Sequence, residues 1–379
     1  MKMCRLPHFG ATPLARQACA VVSPSAARNP GSKREVARFS ARYLTPGIVR
    51  HPEPEAKDLA RAGARLLLVA ALSLAALAGM RGSAHAADPA TIRIFHADSL
   101  KSYIGDMSKA FQAAHPGVEI KPEGSGSLDA IRKVTDLHLP CDILITADWR
   151  LLAQLHTDVE PWVVIFAGNS IGLLYTTQSK SAAEINSRNW YDVITRDGVR
   201  YGHSDPARDP AGYWTLIMWR LAERYYKQPG LAAKLEAGCP PANIRPHSIY
   251  LVALLESSEL DYYFGYASDA RLGKLKFLAL PREINLGDLA MSGEYASASV
   301  EVGSGSRLIK GAPIAFGVTL VSGTSHRKEA LEFIDLMAGP VGRKIAAQDG
   351  LVTYPGAFAY DPGNKMPREL QGLTRPLPK

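Results

Sequence analysis

Apolar and β-branched runs alternate with segments of helical spacing from about residue 90 to near the end of the chain. Short runs of this kind predict strands, and apolar residues recurring every three or four positions predict amphipathic helices. Their alternation indicates an α/β fold with largely parallel sheets. The predicted strands are residues 92–97, 118–121, 142–147, 162–167, 171–175, 199–203, 260–266 and 314–321.

The first predicted helix shows the spacing most clearly. Its apolar residues are Leu100, Tyr103, Ile104, Met107 and Phe111, which lie on one helical face. The sequence contains no internal repeat. Further helices are predicted at residues 128–137, 213–226, 248–257 and 326–338.

This order of elements suits a chain that leaves one lobe, builds a second and then returns. Cys141 and Cys239 fall in different predicted lobes, and a disulfide between them would restrain movement of the lobes, so we expect both to be unpaired. The predicted divisions are a first lobe at 87–167, a second lobe at 168–276, a return to the first lobe at 277–355 and a C-terminal tail at 356–379.

The segment before residue 87 has a different pattern. An apolar run at residues 66–78 follows Arg61 and Arg65 and precedes Ala84-His85-Ala86. A basic start, an apolar run too short to span a bilayer and a small-x-small site are typical of a secretory signal peptide. We therefore predict that residues 1–86 are a disordered extension plus signal peptide. The mature chain would begin near Ala87 and be located in the periplasm.

The charge of the chain changes once this segment is removed. The whole sequence has 44 Lys and Arg against 36 Asp and Glu, a net charge of +8. Residues 1–86 hold 13 of the basic and 4 of the acidic residues, which leaves 31 basic and 32 acidic residues after them. A mature chain with a net charge of −1 lacks the basic face that nucleic acids require. Nucleic-acid binding is therefore excluded as a serious interpretation.

Three strand-to-helix turns share small, hydroxylic or Gly-rich residues: 97–100, 124–127 and 209–213. Free N–H groups and the helix dipole make such turns suitable for an anion, and in α/β sheets they converge on one crevice. Each turn is also explained by N-capping, since Ser99, Ser125 and Asp209 are favoured cap residues. The two explanations are compatible, because a cap residue can turn neighbouring N–H groups toward a ligand.

Enzyme signatures are poor. The sequence has no nucleophile elbow, P-loop, zincin helix or Cys-x-x-Cys motif. Its histidines are scattered without metal-ligand spacing. Asp205 and Asp209 flank Pro206 and are better explained as a turn than as a catalytic carboxylate pair. We therefore expect a binding protein rather than an enzyme.

A set of motifs in one order resembles the molybdate/tungstate-binding proteins of ABC importers, in particular the tungstate-preferring branch known from archaea. The motifs are residues 95–100, 124–127, 147–148, 204–213, 283–288 and 310–319. The resemblance runs from about Ile92 to Leu351. It implies a type II periplasmic-binding fold, with two α/β lobes and a ligand cleft between them. It also implies an ABC permease and its ATPase as partners and no cofactor. The sequence does not show the oligomeric state, and we expect a monomer because monomers suit lobes that must close.

The resemblance also implies a ligand set. Ser99 and Ser125 would bind the oxyanion through their hydroxyls, Asp209 through its carboxylate and Ala211 through its backbone N–H. Tyr266, at the end of a predicted strand, comes from the resemblance alone. A core aromatic is the other explanation for it.

One position departs from the tungstate branch. That branch has a glutamate eighteen residues before the tyrosine, and with the aspartate it expands the coordination of the metal. Here the position is Ser248. A carboxylate beside a dianion is repulsive unless it bonds the metal itself. We therefore predict a site closer to tetrahedral oxyanion binding, with Asp209 either a lone direct ligand to Mo or W or only an N-cap. The sequence does not rank molybdate over tungstate.

Three alternatives stay open. A receptor of the same fold for sulfate, phosphate or another small oxyanion is compatible with Ser248. A secreted serine hydrolase would use Ser99 or Ser125 with Asp209, although no histidine follows either serine in a recognisable motif. An anion-sensing ectodomain for a signalling partner would share the fold.

Overall fold

The structure, a computed structural model, describes residues 90–155, 157–273, 275–303 and 307–378. The predicted extension and signal peptide at 1–86, its apolar run at 66–78 and the mature start near Ala87 lie outside the described residues. The described part contains two β-sheets, a separate two-stranded hairpin and helices packed on them. The predicted α/β class with two lobes is confirmed, and each lobe is built on one sheet.

Each predicted strand and helix has a counterpart whose ends agree with the prediction to within a few residues. In the described residues the strands are β1 (Ala90–Ala97), β2 (Val118–Ser125), β3 (Ile143–Thr146), β4 (Val163–Gly168), β5 (Ile171–Tyr175), β6 (Tyr201–Ser204), β7 (Ile244–Arg245), β8 (Tyr262–Tyr266), β9 (Lys276–Leu278), β10 (Ser299–Val302), β11 (Arg307–Lys310), β12 (Ala315–Leu320), β13 (Val352–Tyr360) and β14 (Thr374–Pro376). The α-helices there are α1 (Lys101–Ala114), α2 (Ser127–Thr135), α3 (Trp149–Leu152), α4 (Trp190–Ile194), α5 (Pro210–Tyr225), α6 (Leu231–Ala237), α7 (Ser248–Glu256), α8 (Ser292–Tyr295), α9 (Arg327–Ala338), α10 (Pro340–Gln348) and α11 (Arg368–Gln371).

The larger sheet has seven strands in the order β14-β13-β4-β12-β3-β1-β2. β1 pairs in parallel with β2 and β3, whereas β12 runs antiparallel to both β3 and β4. The smaller sheet has five strands in the order β7-β6-β8-β5-β9. β6 pairs in parallel with β7 and β8, and β5 runs antiparallel to β8 and β9. β3, β4, β8 and β12 are buried along their whole length, which explains their nearly continuous apolar sequences.

The chain passes between the sheets at two places. The first lies between Gly168, which ends β4, and Ile171, which begins β5. The second follows β9, because Lys276–Leu278 pairs with β5 in the smaller sheet. The predicted lobe boundary at 276 therefore falls within β9 rather than at the end of the sheet.

The segment at 356–379, predicted to be a C-terminal tail, contributes strands to the larger sheet. β13 begins at Val352 and pairs with β4, and β14 extends the sheet beyond β13. The predicted division at 355 cuts through β13. The register of β13 against β4 shifts between Thr353 and Phe358, so the strand lacks the regular alternation that would have revealed it.

Two local predictions were also wrong. The segment 123–127 was expected to be a turn, but β2 continues to Ser125 because it pairs along its length with β1. The helix predicted to begin at residue 213 begins at Pro210, with Asp209 as its N-cap. Proline suits the first turn of a helix because its missing N–H would have no intrahelical partner there.

Both cysteines in the described residues are unpaired, as predicted, and both are buried. Burial raises the pKa of the Cys141 and Cys239 thiols to about 12. Such thiols are poor nucleophiles because the reactive form is the thiolate. Within the described ranges, no helix is long and apolar enough to span a membrane.

Candidate functional site

Ser99, Asp209 and Tyr266 meet where the two lobes face each other. Ser99 lies in the 3₁₀ turn Asp98–Leu100 that follows β1, and Asp209 caps α5 after β6. Tyr266 ends β8 and precedes the 3₁₀ turn Ala267–Arg271. The Ser268 hydroxyl donates to the Ser99 carbonyl at 3.5 Å, which connects the turn after β8 with the turn after β1.

Three of the predicted ligand groups are buried polar atoms without a hydrogen bond. The hydroxyls of Ser99 and Tyr266 and the Oδ2 atom of Asp209 have no partner among the described residues. Ser99 is 4% exposed, Tyr266 0% and Asp209 3%. Leaving a buried polar group unbonded costs about 1–3 kcal/mol. Such groups, gathered from both lobes, indicate a site for a polar ligand.

Asp209 is both a helix cap and a buried acid. Its Oδ1 accepts the backbone N–H of Ala211 at 3.1 Å, so the predicted donor Ala211 is already bonded within the cap. Burial raises the pKa of the Asp209 carboxyl well above its ordinary value, and the nearby carboxyls of Asp98 and Asp269 raise it further. These surroundings favour the neutral acid.

Ser125 and Ser248 lie at the edge of this group. The Ser125 hydroxyl accepts a hydrogen bond from Lys133 Nζ at 3.2 Å, and Lys133 also pairs with Glu123 at 2.6 Å. Ser248 is buried at the start of α7, and its hydroxyl lowers the pKa of the adjacent Asp269 carboxyl. The structure therefore brings all the predicted site residues to one region, but it gives the Ser125 hydroxyl a partner within the protein.

Four residues join the lobes beside Ser125, and we call them the interlobe contact: Gly126, Asp129, Arg208 and His247. The Gly126 backbone N–H donates to His247 Nδ1 at 2.9 Å, while His247 Nε2 lies 3.3 Å from Asp129. Arg208 Nη2 donates to the same carboxylate at 2.6 Å. Because Nδ1 accepts, Nε2 carries the histidine proton and donates to Asp129.

A second connection between the lobes runs from α5 to the residues after β3. The Tyr213 hydroxyl donates to Asp148 Oδ2 at 2.9 Å. Arg150 donates to the two oxygens of Asp148 from Nε at 2.9 Å and from Nη2 at 2.8 Å. The Arg150 guanidinium also lies over the Trp214 ring, 4.9 Å from its centroid. The lobes are therefore closed around the site.

Sequence reasoning missed the buried acids around the site. Asp98 stands in the first predicted turn but had no assigned role, and Asp269 lies three residues after Tyr266. Burial raises the pKa of both carboxyls, that of Asp269 to about 8. The Asp269 carboxyl accepts the Tyr266 N–H, and no sequence motif marks this contact.

The arrangement lacks the parts of a serine hydrolase. Near the site, His96 bonds the Ala97 carbonyl, His203 bonds the Ser204 carbonyl and His247 bonds the Gly126 N–H. None of these histidines is bonded to a serine hydroxyl, as a nucleophile and its base require. In the part of the chain that the structure describes, no three His, Cys, Asp or Glu side chains converge to hold a metal ion.

A polar site enclosed between two α/β lobes, without a nucleophile and base, defines a protein that binds a small solute. The family comparison gives the same class. Residues 92–352 match the family model described as bacterial extracellular solute-binding protein, and the chain belongs to this family. Because the members of this family are solute-binding proteins, the expectation of a binding protein rather than an enzyme is confirmed.

Similar curated proteins cover most of the chain. An uncharacterized solute-binding protein of Petrotoga mobilis is 39% identical over 75% of this chain and 90% of its own length. The molybdate/tungstate-binding protein WtpA of Thermococcus kodakarensis is 33% identical over 82% of this chain and 94% of its own length. The WtpA of Pyrococcus abyssi is 35% identical over 75% and 90% respectively.

Solved structures show the same fold at lower identity. The periplasmic molybdate-binding protein of Azotobacter vinelandii has a TM-score of 0.52 at 15% identity, covering 69% of this chain and 99% of that structure. The sulfate-binding protein SubI of Mycobacterium tuberculosis has a TM-score of 0.50 at 15% identity, covering 70% and 88%. The type II periplasmic-binding fold that the sequence predicted is therefore confirmed.

Proposed function

We propose that the protein captures molybdate or tungstate between its lobes and delivers it to the permease and ATPase of an ABC importer. The proposal includes export to the periplasm through the predicted signal peptide, action as a monomer and no cofactor. The relatives named for molybdate and tungstate support it. The observation that carries it is the pair of unpartnered hydroxyls, Ser99 after β1 and Tyr266 at the end of β8.

Both hydroxyls are neutral donors, which suits a dianion held without net attraction. Burial raises the pKa of the Tyr266 hydroxyl well above its ordinary value, so the group keeps its proton for donation. Asp209 engages one oxygen in the helix cap and keeps the other unbonded. With Ser248 in place of a carboxylate, we propose a near-tetrahedral oxyanion bonded through its oxygens. X-ray absorption of the complex that showed clear six-coordination would contradict this.

A thermal-shift panel tests the proposed function. The protein is heated with molybdate, tungstate, sulfate, phosphate or chromate at pH 7. A ligand at 100 times its dissociation constant stabilises the folded state by about 2.7 kcal/mol. We expect a shift with molybdate or tungstate and little shift with sulfate or phosphate, because donors spaced for long metal–oxygen bonds hold smaller anions loosely. A panel without a shift for either group-six oxyanion refutes the proposal.

Loss of one hydroxyl donor should weaken binding without unfolding the protein. Ser99→Ala and Tyr266→Phe each remove one hydrogen bond to a charged ligand, worth about 1.5–3 kcal/mol. We expect the Kd from isothermal titration calorimetry to rise about 10- to 150-fold in each variant. Ser108→Ala and Tyr354→Phe are matched controls at buried positions of the larger lobe. Unchanged affinity in both site variants would refute the assigned donors.

Removal of the Asp209 side chain should leave measurable binding. Asp209→Ala deletes a buried acid beside the dianion and frees the Ala211 N–H for the ligand, while the lost cap costs about 1 kcal/mol of stability. We expect the Kd to change by less than about tenfold, since these effects oppose each other. Near-total loss of binding in a folded variant would identify Asp209 as a direct ligand to the metal instead.

A further inference from the structure

Asp269 is a buried acid next to the proposed ligand hydroxyl of Tyr266. Its residue is 0% exposed. The Oδ2 atom accepts the Tyr266 backbone N–H at 3.2 Å and the Tyr263 hydroxyl at 3.4 Å. The Oδ1 atom is buried without a hydrogen-bond partner in the described ranges. Oδ2 is thus bonded within the protein, whereas Oδ1 is buried and unbonded, as are the Ser99 and Tyr266 hydroxyls.

Titratable groups from several elements surround Asp269. The carboxyls of Asp98, from the turn after β1, and Asp209, from the start of α5, disfavour a further negative charge there. The Tyr263 and Tyr266 hydroxyls of β8 stay protonated, because burial raises the pKa of each well above its ordinary value.

The neighbouring cations are engaged with other acids. Arg150 is paired with Asp148. Arg271, on the same turn as Asp269, pairs with Asp349 at 2.9 Å. Asp269 and Asp209 therefore have no cation assigned to them in the described structure.

Two buried carboxylates cannot both stay ionised beside a bound dianion, because like charges in a poorly solvated site repel strongly. A metal cation could neutralise them, but no three acidic, His or Cys side chains converge to hold one in the described residues. A proton is the remaining counter-charge. Burial, followed by the charge of Asp98, raises the pKa of Asp269 to about 8, which is consistent with a neutral acid at pH 7.

We propose that Asp269 is a further ligand-selecting residue, whose neutral carboxyl group donates from Oδ1 to an oxygen of a fully deprotonated oxyanion. This inference rests on the proposed oxyanion function. Molybdate and tungstate carry no proton at pH 7 and accept such a bond. Hydrogen phosphate brings a proton of its own, which needs an acceptor, and here Oδ2 already accepts two bonds. Asp269 therefore disfavours phosphate, because the carboxyl group and hydrogen phosphate would both have to donate a proton at the same contact.

The sign of the pH dependence follows from this assignment. Above pH 8 the free site loses the Asp269 proton, and binding of the dianion must take one up again. The Kd for molybdate is therefore constant from pH 7 to about 8 and rises up to tenfold for each further pH unit. The rise above pH 8 lies well above the ordinary pKa of histidine, about 6.5.

Isothermal titration calorimetry with molybdate from pH 7 to 10 tests the proposal. Asp269→Asn keeps the shape of the side chain and a permanent N–H donor. We expect its Kd at pH 7 to stay within about tenfold of the wild-type value. Above pH 8 its Kd should lack the rise of up to tenfold per pH unit that loss of the Asp269 proton causes in the wild-type protein. Asp142→Asn is the matched control, a buried carboxyl of the larger lobe that accepts the Arg93 N–H and the Thr324 hydroxyl, and it keeps the wild-type slope.

Three results would overturn the proposal: a flat wild-type profile, an unchanged slope in Asp269→Asn, or loss of binding at pH 7 in a folded Asp269→Asn. If that variant does not fold, proton uptake by the wild-type protein tests the proposal instead. Titration at pH 9 in buffers of different ionisation enthalpy should show uptake approaching one proton per molybdate, and zero uptake refutes the role. Failure of the proposed function differs, because then no group-six oxyanion binds even at pH 7.

Discussion

A Gly126→Ala variant is expected to fold normally and to bind molybdate or tungstate at least about a hundredfold more weakly. In the closed structure, a Cβ on Gly126 would lie 2.6 Å from the Arg208 carbonyl oxygen and 2.7 Å from His247 Nδ1. Both atoms belong to the opposite lobe. The added methyl group therefore holds the lobes apart and takes one set of donors away from the ligand. Two hydrogen bonds to a charged ligand, at about 1.5 kcal/mol or more each, account for the loss.

The fold of the first lobe should tolerate the same methyl group. Gly126 has φ −59° and ψ 144°, which any residue adopts. We therefore expect an unchanged Tm without ligand and a raised Kd in calorimetry. Gly105→Ala is the matched control, because a Cβ there meets nothing within 4 Å. If Gly126→Ala binds as tightly as Gly105→Ala, closure through the interlobe contact is not needed for binding.

An Asp148→Ala variant should lose about 3 kcal/mol of stability. Asp148 is 4% exposed and accepts bonds from Arg150 and from the Tyr213 hydroxyl. Removing one partner of a buried ion pair costs about 3–5 kcal/mol, because the other charge stays uncompensated. Arg150 retains 30% of its side-chain exposure, so we expect the lower end of that range. The measurement is the Tm of the ligand-free protein, which should fall by about 6–12 °C.

A surface ion pair provides the comparison for this variant. Asp106 pairs with Lys109 at 2.9 Å, with side chains 44% and 81% exposed. Such pairs contribute about 0–1 kcal/mol, so Asp106→Ala should change the Tm little. Tyr213→Phe removes only the hydroxyl that reaches Asp148 from the other lobe, and we expect it to weaken ligand binding more than stability. Equal Tm losses in Asp148→Ala and Asp106→Ala would contradict the buried-pair argument.

The sequence predicted most of the fold because local chemistry and burial agree there. β5 and α5 show this: the apolar run of β5 was predicted at its observed bounds, and α5 was predicted with its start three residues late although the favoured cap Asp209 was recognised. β13 was missed because Pro355 and Gly356 break its pattern. That strand is held by pairing with β4 on either side of a register shift, which leaves no local signal.

The sequence predicted some residues of the candidate site and missed others. Ser99 and Asp209 follow strands and start helical turns, so the residue pattern of the three strand-to-helix turns predicted them. Tyr266 was predicted from the resemblance alone. Asp269 and Asp98 are polar residues whose importance depends on their burial in the folded protein. Burial by a distant segment is a tertiary property, and no spacing along the chain reports it.

The closed cleft has a kinetic consequence. The predicted ligand residues Ser99, Asp209, Ala211 and Tyr266 are at most 4% exposed. An anion bonded to them has no route to solvent until the Gly126–His247 and Tyr213–Asp148 bonds break. Opening must also break the bonds of the anion to one of the lobes, so the anion itself helps to hold the cleft closed. A transporter that pulls the lobes apart would control the moment of release.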